Sequence, residues 1–432
     1  MAIVLKNAVL ADWDPIDVLH GAIRIEGEQI VERGEHVAEN VGDEVIDCGG
    51  AVVLPGLVNG HTHLYMSLNA GGPPPTKRAE NFVEHCDGGI WRVERAHNRH
   101  SIGIAAKMGA IEALRCGTTT IFDHHASSGA ITESLDQVEA GLEVVGLRGV
   151  LCYDTTDRDG AGKREEGLEE NRRYLEKRTQ GRKGQFAGMV GGHASFTLEE
   201  QTLGHLAGMA TDFETGVHIH VAEDAYDGEE CEQRFQTFLM DHLAAARLTG
   251  PQSIFVHGTH LNREDIERIQ AVGASLAHCP ASNMSNATGT SPVAGYPCRV
   301  MLGTDGIGGD LFAEARLAWL AARQDNVPLP PEAVFIRFGQ AARRAMEALD
   351  VMVGRLAAHA AADVVVTDYR PTTPMTKENV ANHFLFGMAS RHVKDVLVGG
   401  RWLLRDRCVI SCTEEAIRRE ARETAEQVWK RM

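Results

Sequence analysis

No apolar run in the 432-residue chain approaches the ~20 residues that cross a bilayer. The opening Met1-Ala2-Ile3-Val4-Leu5-Lys6 lacks the basic segment and long apolar stretch of a secretory leader. The nine cysteines (Cys48, Cys86, Cys116, Cys152, Cys231, Cys279, Cys298, Cys408 and Cys412) are odd in number and irregularly spaced, with no C-x-x-C. That pattern argues against a disulfide framework and for a reduced compartment. Cations are scarce. Lys and Arg number 43 against 60 Asp and Glu, a net charge of -17, which argues against general nucleic-acid binding but leaves room for a local basic pocket. H-E-x-x-H, G-x-S-x-G and G-x-G-x-x-G are missing, as is the H-x-E and P-C-x-x-C pair of one class of nucleobase deaminases. The expectation is a cytoplasmic chain with neither membrane nor nucleic acid as partner.

What is present can bury a sizeable core: 43% of residues are hydrophobic and 24% charged. Short β-like runs, Ile3-Val4-Leu5, Ala22-Ile23-Arg24-Ile25 and Val45-Ile46-Asp47, open the chain between glycine turns. The segments 362–367 and 393–400 repeat this style near the other end. A small β-sandwich domain formed from both chain ends is the economical reading. Between them, eight apolar or β-branched runs alternate with helix-like stretches: 52–58, 118–122, 149–153, 186–191, 216–221, 253–256, 274–277 and 299–302. Helix candidates include 101–115, 132–145, 168–178 and 198–215. Eight strand–helix units predict an α/β fold, a (β/α)8 TIM-type barrel. The expected divisions are 1–52 and 359–412 for the composite β domain, 53–358 for the barrel, and 413–432 for a terminal helix capped by Thr413. The charged "DRDGAGKREE" (157–166) reads as a loop; its GAGK lacks the spacing and the Ser/Thr of a phosphate loop.

Barrels of this kind carry their sites at the C-terminal strand ends, and this chain places histidines there. Strand one runs into His61 and His63, strand four into His193, and strand five reads "GVHIHVAE", with His218, His220 and Glu223. Strand six ends in His257, strand seven leads to Cys279 and Asn283, and strand eight reaches Asp305. The period of a strand puts His61 and His63 on one side together. Imidazoles aimed into a barrel mouth call for a partner, and a divalent metal is the natural one. His220 and Asp305 would complete a nitrogen-and-oxygen site suited to Zn, with Fe or Mn also compatible. His218 shares a face with His220 and competes with it as a ligand. His260 competes with His257. Asn283 could cap a turn or hold a substrate, and Arg158 could pair with Asp157 or hold an anionic or carbonyl-rich one. His124 and His125 are open between pocket and structure, and the strand-one insertion with Glu84, Trp91 and Arg92 reads as a lid.

In order along the chain, "LPGLVNGHTH", "GTTTIFDHHA", "HIHVAE", "HGTHL", "AHCPASN" and "LGTDG" resemble the amidohydrolase superfamily. The resemblance is closest to its cytosine-deaminase and chlorohydrolase-like branch. "FDHHAS", "CYDTTDRDG" and "NFVEHCDGGIWR" are similar to SsnA-type aminohydrolases. The resemblance spans essentially the whole chain. It implies His61, His63, His220 and Asp305 as ligands of one metal, since no strand-four lysine of the metal-bridging kind is evident. It implies Glu223 as acid/base, His257 as the histidine at the attacking water, His193 as a substrate contact, and a homo-oligomer, most simply a dimer.

This set of residues suits hydrolysis at a C=N carbon bearing an amino group. Asp305 would take the proton of a metal-activated water, Glu223 would protonate the ring nitrogen, and His257 would stabilise the oxygen. The expected substrate is a small N-heterocycle of purine, pterin, pyrimidine or triazine type. Ring opening of a cyclic amide or amidine, or displacement of another leaving group, uses the same chemistry. A non-catalytic binding protein on the same barrel is a remote alternative, because Glu223 and all four ligands are present.

Overall fold

Pro55 and Gly56 divide the apolar run 52–58, predicted as one strand, into two strands with different partners. Proline has no amide to donate to a ladder. A side chain on Gly56 would meet Thr119 Oγ1 at 2.2 Å, so the chain crosses here at a separation only glycine allows. The computed structural model describes residues 2–181, 184–295 and 298–432.

Val52–Pro55 belongs to a nine-stranded mixed sheet built from both chain ends. It lies between Ile3–Trp13, in parallel register, and Val364–Thr367, antiparallel. On one side the sheet continues through Ile16–Glu26 and Gln29–Gly34, on the other through Val393–Val398, Arg401–Arg405 and Cys408–Val409, while Glu44–Asp47 pairs with Ile3–Trp13. Gln29–Gly34, Arg401–Arg405 and Cys408–Val409 are additions to the predicted strands.

Leu57–Thr62 is the first barrel strand. It pairs in parallel with Thr118–His125, Arg148–Tyr153 and Phe186–Gly188. A second parallel arc holds Val190–Ala194, Val217–Val221, Ile254–His257, Ser275–His278 and Arg299–Leu302. The predicted fourth strand is thus two short strands, one in each arc, joined at Met189, whose amide still donates to Leu151 O at 3.0 Å. The arcs meet again where strand eight passes strand one, through an isolated bridge between Thr62 and Asp305. Interior side chains such as Val58, Phe122, Val150, Val256 and Met301 form one apolar cluster with Ala341, Ala342, Ala345 and Leu349 of helix Pro331–Leu349.

The charged 157–166 segment corrects to a short loop followed by helix: Ala161–Gln180 starts inside it, with Gly160 at its N-cap in a conformation (φ 88°) that favours glycine. The terminal helix spans Glu414–Trp429, but the Thr413 side chain makes no capping bond. Its first turn is held instead by Glu414, which accepts from Arg115 at 2.6 and 3.1 Å.

Barrel and composite sheet are pinned by a buried ion pair. Arg148 of strand three donates to both oxygens of Asp363 at 2.7 and 3.0 Å, and the Gly399 amide adds a third bond to Asp363 at 2.8 Å. Removing one partner of a buried pair strands the other. Asp363→Ala is expected to destabilise the protein by roughly 3–5 kcal/mol, read as a lowered urea midpoint; an unchanged midpoint would show that the pair is dispensable.

Candidate active site

Val217, Ile219 and Val221 pack into the outer apolar layer, so His218 and His220 between them face the barrel axis. On strand one, the pairing with strand two shifts register between Asn59 and Thr62, an irregularity that re-aims side chains. His61 and His63 both emerge beside Asp305. Asp305 and His257 hold left-handed backbones (φ 52° and 70°), a conformation that Asp and His adopt more readily than branched residues.

His61, His63, His220 and Asp305 come together buried, with one donor atom from each lying within 4.8 Å of the others. Nε2 of His63 lies 3.0 Å, and Nε2 of His61 3.5 Å, from Asp305 Oδ1. The outer ring nitrogens are all tied back. His63 Nδ1 donates to the His124 carbonyl at 2.5 Å and His220 Nδ1 to the His193 carbonyl at 2.8 Å. His61 Nδ1 donates to His218 Nε2 at 2.9 Å, and His218 Nδ1 faces Cys152 Sγ at 3.7 Å. Protons on Nδ1 leave the Nε2 lone pairs aimed inward. The Ser282 hydroxyl donates to the second Asp305 oxygen. His61 Nε2 is buried without a hydrogen-bond partner. Once His63 gives up its second proton, three lone pairs and a carboxylate oxygen converge, a set that a divalent cation satisfies, and three nitrogens with one oxygen suit Zn, with Fe or Mn also compatible. His218 stands behind His61 as its hydrogen-bond acceptor.

Burial pushes His61 down to about 3 and His220 well below the usual imidazole range. Burial also works against charge on His63, but the hydrogen bond and the charge of Asp305 outweigh it and raise His63 to about 9. For Asp305 burial opposes ionisation, and the close approach of His61 and His63, with the charge of His63, prevails and holds the carboxyl well below its usual range. Before an ion binds, a proton therefore rests on His63 at neutral pH.

Glu223, three residues past His220 in the loop after the strand, is lifted by burial, with the charge of His257 acting in the opposite sense. Its Oε1 accepts from Asn286 Nδ2 at 3.1 Å and its Oε2 lies 3.6 Å from His257 Nε2. Asn283 Oδ1 accepts from His257 Nδ1 at 2.9 Å. Asn283 therefore orients the histidine and does not line the cavity, which corrects its reading as a substrate contact. His260 is bonded to the Thr288 carbonyl at 2.8 Å, so His257 is the histidine that reaches the site.

The cavity above the four ligands has a volume of about 260 Å3. His193, Trp91 and Phe196 line it, with the His193 and Trp91 rings edge to face at 5.9 Å. Arg158 does not line it: the guanidinium is bonded to Glu94 Oε2 at 3.0 Å and lies 4.2 Å over the Trp91 ring. Its reading as a substrate contact corrects to an ion pair, and with Glu94 as partner, not Asp157. His124 and His125 are buried against the His218 carbonyl and Ser127. Ser282, Asn286, Glu94 and Asp154 are site residues that sequence reasoning missed. The i, i+4 spacing of Ser282 and Asn286 was the available signal for that pair.

A model of the amidohydrolase family matches residues 52–403, and the chain belongs to that family. Among curated relatives, 5'-deoxyadenosine deaminase of Methanosarcina mazei is 29% identical over 99% of this chain and 98% of its own. The 5-methylthioadenosine/S-adenosylhomocysteine deaminase of Halobacterium salinarum is 28% identical over 95% and 96%. Among solved structures, an adenosine deaminase from Xanthomonas campestris with bound zinc has a TM-score of 0.83 at 21% identity, over 99% of this chain and 98% of that one. Atrazine chlorohydrolase from Arthrobacter aurescens with zinc has a TM-score of 0.82 at 20%, over 98% and 100%. Both share the fold.

Two measurements test the nest. Zinc binding near pH 7 is expected to release about one proton, and affinity to rise with pH up to about 9, as His63 loses its proton. Calorimetry in two buffers of different ionisation enthalpy reads this, and identical heats would refute it. His218→Leu should weaken zinc affinity ~10–100-fold by chelator competition, with His218→Gln retaining most of it because an amide oxygen can still accept from His61.

Proposed function

We propose that the chain is a zinc-dependent aminohydrolase that removes the amino group of a small N-heterocycle, with an aminopurine as the leading class. The observation that carries this is Glu223, a buried carboxyl raised toward its protonated form and placed beside both His257 and the ligand nest. Similarity to deaminases of 5'-deoxyadenosine and of 5-methylthioadenosine/S-adenosylhomocysteine supports an aminopurine. One ion per chain is part of the proposal: among the described residues, the other ligand group (His124, Asp154, His220) shares His220 with the first. A cytoplasmic dimer belongs to the same reading and rests on the resemblance and the irregular thiols.

A divalent ion held by His61, His63, His220 and Asp305 would supply Lewis acidity and lower the pKa of a water toward neutrality. Asp305 Oδ1, beside His61 and His63, is placed to accept a proton from the attacking water. Glu223 hands its own proton to the ring nitrogen, which makes the adjacent carbon electrophilic. His257 Nε2, fixed by Asn283, hydrogen-bonds the attacking oxygen. Asp305 then passes the water's proton to the departing amine and Glu223 recovers a proton from the hydroxyl of the adduct, so ammonia leaves and a lactam-type carbonyl remains.

Purified, metal-quantified protein is expected to release ammonia from at least one member of a panel of aminated purines, pterins, pyrimidines and triazines. Glu223→Gln should lower kcat by ~10²–10⁴-fold with metal content unchanged. Bound metal with no ammonia from any member would refute deamination and favour ring opening of a cyclic amide or amidine.

A further inference from the structure

The reaction leaves four carboxylates on the cavity wall unused: Glu94, Asp154, Asp224 and Asp227. Glu94 and Asp154 are buried, and both line the cavity. Glu94 is served by Arg158 at 3.0 Å and by the Tyr65 hydroxyl at 3.4 Å. Asp154 is not. The nearest imidazole nitrogen to it, His124 Nδ1, lies 3.9 Å from Oδ2, and burial pushes that ring well below its usual range, so it is neutral. Asp154 Oδ1 is buried with no hydrogen-bond partner at all. Burial first, and then the charge of Glu94, lift this carboxyl to about 8, which shows how poorly the protein alone accommodates the anion.

The cations of the site do not make up the difference. No lysine or arginine lines the cavity among the described residues. A divalent ion in the nest would balance Asp305, and Arg158 balances Glu94. Asp154 and Asp224 on the cavity wall are left over, while Asp227 is held by the Ser195 hydroxyl and the Ala222 amide. A buried carboxylate oxygen lacking a donor is costly until a ligand brings one. A phosphate or carboxylate brought to the same wall would find no lysine or arginine among the lining residues to pair with, so the cavity discriminates by leaving that charge unmet.

We propose that Asp154, on the cavity wall beside His124 and His220, determines which substrates the cavity accepts. It receives an N–H or O–H donor from an uncharged or cationic amino-heterocycle, and the cavity rejects congeners carrying a phosphate or carboxylate. The proposal rests on the aminohydrolase reading for turnover but not for binding.

The test reads binding first, by equilibrium dialysis on zinc-loaded protein, and ammonia second. Adenosine and adenosine 5'-phosphate are the first pair of probes, followed by other aminated heterocycles with and without an anionic group. The uncharged member is expected to bind about 100-fold more tightly. Asp154→Asn, with melting temperature as the check on folding, should narrow that ratio about tenfold. Equal binding of the anionic member, or binding of neither class, overturns the proposal. So does a stoichiometry of two zinc ions per chain that falls to one in Asp154→Asn, because the free oxygen would then serve a second cation with His124 and His220. Selective binding without ammonia from any probe sinks the deaminase reading and leaves this one standing. Ammonia from both members of each pair at equal rates does the reverse.

Discussion

Everything in the site depends on the seam where strand eight meets strand one. The amides of Thr304 and Asp305 donate to the His61 carbonyl at 2.9 and 3.1 Å, and the His63 amide returns a bond to the Asp305 carbonyl at 3.1 Å. Thr62 Oγ1 also donates to the Asp305 carbonyl, at 2.9 Å. Three of the four converging ligands are thus fastened to one another through the main chain before their side chains are considered. Closing the barrel and assembling the nest are the same event. Short backbone bonds also locate the donor atoms more tightly than loop residues could, as a catalytic ion requires.

The seam makes tolerable a concentration of polar groups that a barrel interior otherwise rejects. Eight histidines, at 61, 63, 124, 125, 193, 218, 220 and 257, crowd one mouth, and most of their rings have outer nitrogens bonded to carbonyls or neighbouring side chains. Burial keeps most of these rings neutral, the state a ligand needs. His63 departs from this because Asp305 lies beside it. Local rules broken in one place, and satisfied nearly everywhere else, mark a site rather than a poor core.

Much of this was legible in the sequence. The two-residue period separated His218 and His220 from Val217, Ile219 and Val221, and the strand–helix alternation led to a barrel. The relation of ring to ring was not legible. Nothing in "HIHVAE" says that His218 would stand behind His61, 157 positions earlier in the chain, instead of reaching the ion. Proline and glycine at 55 and 56 were visible, but the apolar run across them outweighed them, so one strand was read where two exist. Arg158 illustrates a different failure. Its charge suggested a salt bridge with the adjacent Asp157 or an anionic or carbonyl-rich substrate, whereas its partner, Glu94, comes from a helix 64 positions away that only the folded chain brings near.

The position of Val52–Pro55 in the sheet has a consequence for how the protein is made. Its parallel neighbour, Ile3–Trp13, leaves the ribosome first, but its antiparallel neighbour, Val364–Thr367, follows only about 300 residues later. At ~5–20 residues per second that interval lasts roughly 15–60 s. Throughout it, one edge of a Val-rich strand has unpaired amides and carbonyls, a template for pairing with any other nascent chain. Synthesis of this enzyme therefore has a built-in window of vulnerability, one that ends when residues near the far terminus arrive to cover the edge.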